Sequence, residues 1–130
     1  MNVTIVTPEE EVWAGEADLV IARSPEGEFG IMRNHIPFLA ALVPGRVTLV
    51  SGGSRSNFLV PGGFLEASRS GDDYHVIVLA DDAEPIGDVD AAEARRLAEE
   101  RSKARAEEDV ERVAEAGMRA ALARPELGRD

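Results

Sequence analysis

Hydrophobic and polar residues change rhythm once along this chain, between Ala83 and Pro85. Before that point apolar residues come in short runs. Val3 and Ile5 alternate with Thr4 and Val6. Then follow Val12-Trp13, Ala17 to Ala22, Phe38 to Val43, Arg46 to Val50, Phe58 to Val60, Phe64 to Ala67 and Tyr74 to Ala80. Between the runs fall Gly15, Pro25 to Gly27, Pro44-Gly45, Gly52-Gly53, Pro61-Gly62-Gly63 and Gly71-Asp72-Asp73. β-Branched and aromatic runs of this length, punctuated by glycine and proline, predict strands joined by tight turns. Their spacing points to an antiparallel sandwich or barrel rather than alternating strand–helix units. Period-2 alternation is only partial at Val47 and Leu49, and at His75, Ile77 and Leu79 against Tyr74, Val76 and Val78. That pattern predicts strands covered on two sides.

Beyond Pro85 the period lengthens. Residues 91–106 are Ala, Glu, Arg, Leu, Ser and Lys without Gly or Pro, and Asp88 or Asp90 is placed to cap a helix start. A run from 91 to 124 is long for one helix in a small domain, and the charged stretch Ala106 to Asp109 interrupts the apolar stripe. The sequence therefore predicts two antiparallel helices, 90–105 and 109–123, with Asp109 capping the second and Pro125 ending it. Their apolar faces are thin: Ala91, Ala94, Leu97 and Ala98 on the first, Val110, Val113, Ala114, Gly117, Ala120 and Ala121 on the second. Alanine buries little area at ~25 cal/mol per Å², so this hairpin should dock lightly. Pairs Glu99 to Lys103, Glu108 to Arg112 and Glu115 to Arg119 support the helices by only a few tenths of a kcal/mol each. The predicted fold class is α+β: an N-terminal antiparallel β-sandwich, residues 1–86, followed by a C-terminal antiparallel two-helix hairpin, residues 87–130.

Charge and composition narrow the function. The 130 residues carry a net charge of −11, which disfavours nucleic acid as a partner. Residues 1–87 hold 5 basic and 13 acidic side chains, while residues 88–130 hold 9 and 12. Cysteine is absent, removing disulfides and thiolate metal sites. The opening MNVTIVTPEEEVW has neither a basic n-region nor a sustained apolar h-region, and no window is apolar enough to span a bilayer. A soluble, intracellular protein without a secretory signal is expected. The stretch SGGSRS, 51–56, has the glycines of a phosphate loop but no lysine, and reads as a hairpin turn. Asp72-Asp73, Asp81-Asp82 and Glu9 to Glu11 lack calcium-loop spacing. His35 and His75 are too few for a zinc site.

One segment is dense enough to ask for chemistry: GEFGIMRNHIPFLAAL, residues 27–42. As a general base His35 would need an orienting acid and a nucleophile, and the sequence places neither beside it. The alternative is a sheet turn in which Gly27 and Gly30 permit a tight reversal and Pro37 ends a strand edge. His35 is then a contact or turn-locking residue.

Over essentially its whole length the chain resembles the epsilon subunit of the F-type ATP synthase. The resemblance rests on TPEEEVWAGEADLVIA (7–22), GEFGIMRNHIPFLAALVPGRV (27–47), VPGGFLEAS (60–68) and VIVLADDAEP (76–85), in that order, followed by an Ala/Glu/Arg helical region. It implies a sandwich of about ten strands with a helical hairpin, and a non-catalytic place in the central stalk of the proton-translocating rotor. The implied partners are the gamma subunit and the polar loops of the c-ring. The hairpin can also reach the alpha and beta subunits of the catalytic head and suppress ATP hydrolysis. The implied location is peripheral, on the cytoplasmic face of the inner (plasma) membrane.

Position by position, the resemblance makes Glu28, Gly30, Ile31, Arg33 and His35 candidates for contact with the ring or gamma. Arg33-Asn34 stands where the family usually has Pro-Gly. The family's nucleotide motif, Ile/Leu-Asp-x-x-Arg-Ala, reads Val89-Asp90-Ala91-Ala92-Glu93-Ala94 here. Glu93 replaces the arginine, so Asp90, Arg95 and Arg96 are what remains of a nucleotide site, and no bound cofactor is expected. Arg112, Arg119 and Arg124 are the candidates for an inhibitory contact. A free-standing sandwich module in another complex is the competing reading, and a small hydrolase using His35 is a third.

Overall fold

The computed structural model describes the backbone of residues 1–123 and the side-chain surroundings of residues 1–114. Ten strands precede one helix: β1 Asn2–Val6, β2 Glu11–Glu16, β3 Leu19–Ser24, β4 Gly27–Met32, β5 Phe38–Leu42, β6 Gly45–Ser51, β7 Ser54–Val60, β8 Gly63–Ser70, β9 Asp73–Ala80, β10 Glu84–Ile86 and α1 Ala91–Ala123. The strands form two five-stranded sheets, ordered β2-β1-β9-β8-β5 and β10-β7-β6-β3-β4. This is the sandwich that the strand spacing predicts. Between the sheets lie Val3, Ile5, Val20, Ile31, Leu49, Leu65, Val76 and Val78, each at most 1% exposed. Alternate residues of each strand supply them.

The turns follow their residues. β6 and β7 are joined by Gly52-Gly53, both at positive φ (56° and 83°), as a two-residue hairpin of this twist requires. Pro25-Glu26 forms the turn between β3 and β4. The reversal expected around Gly27 and Gly30 therefore comes earlier, and GEFGIM is a strand whose whole length pairs with β3. Gly27 does use its freedom, at φ 126°, whereas Gly30 lies inside β4, opposite Ile21. Its role is space, since a Cβ there would approach Leu19 Cδ1 to 3.2 Å. One pairing departs from the antiparallel pattern. β1 and β9 run parallel, Val3 facing Val76 and Ile5 facing Val78, because the β8–β9 hairpin returns the chain alongside β1 in the same direction.

α1 lies on the outer face of the second sheet and explains the doubly apolar strands there. Val47, Thr48 and Leu49 on β6, and Phe58, Leu59 and Val60 on β7, are consecutively buried. Ala94 and Ala98 are fully buried against Leu59, with Ile86 and Leu97 at the margin. Two methyl groups contribute only roughly 1–2 kcal/mol of burial, so polar contacts share the task. Arg46 Nη1 donates to Val89 O at 2.6 Å, and Asn57, itself bonded to Thr48 at 2.7 Å, reaches Asp88 at 3.4 Å. Arg101 pairs with Glu84 at 3.1 Å. Asp90, not Asp88, caps the helix: its carboxylate accepts from Glu93 N at 2.8 Å.

The helical region follows the sandwich as expected but differs in one respect. α1 runs unbroken through residues 106–109, where a turn between two helices was expected. No Gly or Pro stands there, and Arg112 lies 3.9 Å from Glu108 and 3.8 Å from Asp109. The charges that interrupt the apolar stripe are thus accommodated on the helix surface. Val110 and Val113, assigned above to a docked face, are 68% and 73% exposed.

Candidate partner-binding surfaces

Strand alternation leaves the outer face of the first sheet uncovered. β8 turns Leu65 and Ala67 inward and so presents Phe64 and Glu66 outward. β9 buries Val76, Val78 and Ala80 and presents Ile77 and Leu79. Register assembles them: Phe64 faces Leu79 on one side and Ala41 on the other, while Glu66 sits between Leu39 and Ile77. Leu39, Phe64, Leu79 and Ile77 are 69%, 53%, 51% and 38% exposed. A contiguous apolar face of this kind marks an interaction surface. The double-faced pattern of β9 is therefore corrected in one sense: its outer residues have no cover among the described residues. None of these four was singled out as a site residue. The signal was present in the β9 run, where both parities are apolar.

A second surface is the tip joining β4 to β5. Met32 and Ile36 are exposed there, on either side of Arg33-Asn34. His35 holds the tip. Its amide donates to Met32 O at 3.2 Å and its Nδ1 donates to Ile36 O at 2.7 Å. Its ring meets Phe38 edge-on at 5.5 Å, and Phe38 meets Phe29 in the same way. Nothing in this arrangement supplies a nucleophile. Asn34 adopts φ 74°, the one non-glycine positive φ among the described residues. Asparagine tolerates this region better than other side chains bearing a Cβ, so it suits the turn that Arg33-Asn34 must make. Asn34→Gly should leave stability within about 0.5 kcal/mol, while Asn34→Val should cost ~1–2 kcal/mol in urea unfolding. Equal midpoints for the two variants would show that the turn does not need this conformation.

The remaining candidates separate. Glu28 is exposed on β4 opposite Arg23, and Gly30 is exposed on the same strand. Arg33 lines a small polar cleft with Met1, Glu16, Asp72 and Asp73. Ile31 is corrected: at 1% exposure it is part of the core and cannot be a contact residue. Met32 and Ile36 are the exposed apolar residues of this region.

On α1, Asp90 is occupied as a cap. Arg96 bridges Glu93 at 2.6 Å and Glu100 at 2.9 Å. The hydrogen bond to Glu93, together with the charges of Glu93 and Glu100, raises its pKa above the ordinary arginine value. Arg95 is exposed beside it. Asp90 and Arg96 are thus both engaged by partners within the first turns of α1. Arg112 is exposed. The surroundings of Arg119, and all of Arg124, lie outside the described residues. Among the described residues no group of three or more His, Asp or Glu is placed to hold a metal ion, and no helix is long and apolar enough to cross a membrane.

Comparison with known proteins agrees with this architecture. The profile of the beta-sandwich domain of the ATP synthase delta/epsilon chain matches residues 1–86. The ATP synthase epsilon chain of Anaeromyxobacter sp. (strain K) is 44% identical over 100 residues, covering 77% of this chain and 73% of that one. That of Thermobifida fusca is 40% identical over 125 residues, covering 94% and 84%. Among solved structures, a chain of the Euglena gracilis mitochondrial ATP synthase superposes with a TM-score of 0.60 at 25% identity, covering 80% of this chain and 62% of that one. A chain of the Tetrahymena thermophila central stalk and c-ring shares the fold, with a TM-score of 0.52 at 19% identity. The sandwich, its order of motifs and these relatives place the chain in the ATP synthase delta/epsilon-chain family.

Proposed function

We propose that this chain is the epsilon-type, non-catalytic subunit of an ATP synthase central stalk, with the outer face of the first sheet as its seat on the gamma subunit. The observation that carries the proposal is the exposed row of Leu39, Phe64, Ile77 and Leu79 on the outer face of the first sheet. The β4–β5 tip, with Glu28, Met32, Arg33, His35 and Ile36, lies against the polar loops of the c-ring. The subunit is held peripherally on the cytoplasmic face of the membrane by these contacts. It has no active site of its own: His35 is committed to its turn.

α1 is the regulatory part. Its attachment through two alanines and a few polar contacts suits an element that leaves the sandwich at small cost. Released, it reaches the alpha and beta subunits, with Arg112, Arg119 and Arg124 as its cationic groups. ATP is not its ligand at the first turn, where Glu93 stands in place of an arginine and engages Arg96.

The test is deletion of residues 88–130 in the reconstituted complex. Gamma should still co-purify with the truncated chain, and ATP hydrolysis should rise severalfold. Loss of gamma from a folded sandwich would refute the assignment of binding to the sheet face. Unchanged hydrolysis would refute the regulatory role of α1.

A further inference from the structure

We infer that Glu66 makes the outer face of the first sheet selective for a partner that brings a cationic side chain, arginine or lysine, into the middle of an apolar contact. The inference rests on the seating of gamma on this face and adds what gamma must present there. Register places the carboxylate. β9 presents Ile77 and Leu79, β8 presents Phe64 and Glu66, and β5 presents Leu39 and Ala41, all exposed. Across the strands Ile77, Glu66 and Leu39 form one row, and Leu79, Phe64 and Ala41 form the next. Direct cross-strand neighbours stand only about 5 Å apart. Glu66 therefore has Ile77 on one side and Leu39 on the other, and Phe64 precedes it on the same face of β8. Within these two rows only Glu66 is charged.

The first sheet does not answer this charge itself. Its strands contain a single arginine or lysine, Arg69. Arg69 is spent at the sheet's end, where its Nε donates to Gly71 O at 2.8 Å and its guanidinium lies 5.4 Å from the centre of the Tyr74 ring. Among the described residues Glu66 forms no ion pair. In the free chain water solvates it. Beneath a wholly apolar cover it would be a buried charge without compensation, which opposes the very contact that its neighbours favour. A second copy of this chain does not fit as the cover. Two-fold pairing of the face would bring carboxylate toward carboxylate, and residues 1–87 hold 13 acidic side chains against 5 basic. An apolar surface around one arginine or lysine does fit. Its cation makes charge-assisted hydrogen bonds to Glu66, while Leu39, Phe64 and Ile77 cover its aliphatic stem. Such a pair fixes which partner binds, and in what register, more than it adds to affinity.

The experiment is a calorimetric titration of gamma with the full chain and its variants. Glu66→Leu suits an apolar contact in size and polarity, so only a cation on the partner can penalise it. It should bind about thirtyfold less tightly or worse, because that cation loses its acceptor. Glu66→Gln keeps the shape without the charge and should lose about tenfold. Glu99→Gln removes an exposed carboxylate from α1 and should bind as the wild type does. Glu66→Leu that binds gamma as tightly as the wild type, or more tightly, would overturn the inference. The carboxylate would then serve only to keep an exposed apolar face soluble. That failure is distinct from failure of the seat itself. If the seat is wrong, Leu79→Glu also binds gamma normally; if only the cation is wrong, Leu79→Glu loses gamma and Glu66→Leu keeps it.

Discussion

Leu79→Glu should abolish capture of gamma while leaving the isolated chain as stable as before. Leu79 is 51% exposed on β9, directly opposite Phe64 at 53%, so neither side chain supports the core. A glutamate there meets water in the free subunit and should shift stability by no more than about 0.5 kcal/mol. In the complex the same carboxylate would lie at the middle of an apolar contact without a cation. Central, fully desolvated interface positions carry most of the binding energy, and losses there reach ~3 kcal/mol, about a hundredfold in affinity. Phe64→Glu should behave alike, because the two residues share one register pair. Arg55→Glu, on the exposed β6–β7 hairpin of the other sheet, introduces the same carboxylate with twice the change in net charge and should leave capture intact. Co-purification with gamma and thermal unfolding of the free chain read the two effects separately. Wild-type capture by both glutamate variants would remove the sheet face from the assembly surface.

That face also shows how far the sequence could be read. Most strand positions followed from short-range signals, since β-branched runs and the glycine and proline turns between them act locally, but β4, expected as a turn, and β10 were not among those runs. Two-sided burial was expected for β6 and not for β7, and α1 supplies cover for both. β9 carries an equal signal, with Ile77 and Leu79 opposite in parity to Val76 and Val78, but no element of the described chain lies over it. A pattern of apolar residues states that a face wants cover and not which molecule provides it. The parallel pairing of β1 with β9 and the inward orientation of Ile31 were not legible, because both depend on which distant strands become neighbours. The break expected in the helix failed on energetics. The charged stretch around Glu107 to Asp109 removes an apolar stripe but does not forbid helical φ and ψ, as Gly or Pro would disfavour them. Asn34 was also illegible in the sequence: its positive φ of 74° appears only in the folded turn.

Gly63→Ala should be the most destabilising single methyl addition in the sandwich. After Val60 the chain leaves the second sheet, passes through Pro61-Gly62 and enters the first sheet at Gly63. There it must pair at once with two strands, facing Leu42 of β5 and Ala80 of β9. The crossing is held by Asp81 N donating to Gly62 O at 2.9 Å. Gly63 meets these demands at φ 143°, a conformation that L side chains rarely adopt. A Cβ would also overlap the Leu79 carbonyl oxygen and come within 2.9 Å of Ala80 Cα. Both obstacles are backbone atoms of β9, so no side chain can swing away. Relief requires β8 to part from β9, and with it Leu65 from Val78, two residues that are fully buried. The expected cost is about 3 kcal/mol or more, since strain and lost packing add, lowering Tm by roughly 10 °C. Gly53→Ala isolates the first component. Gly53 has φ 83° but nothing within 4 Å of a Cβ, so alanine there meets strain alone, ~1–2 kcal/mol. If the two variants unfold at the same denaturant concentration, the β8–β9 contact is soft and the crossing between sheets does not depend on a bare backbone at residue 63.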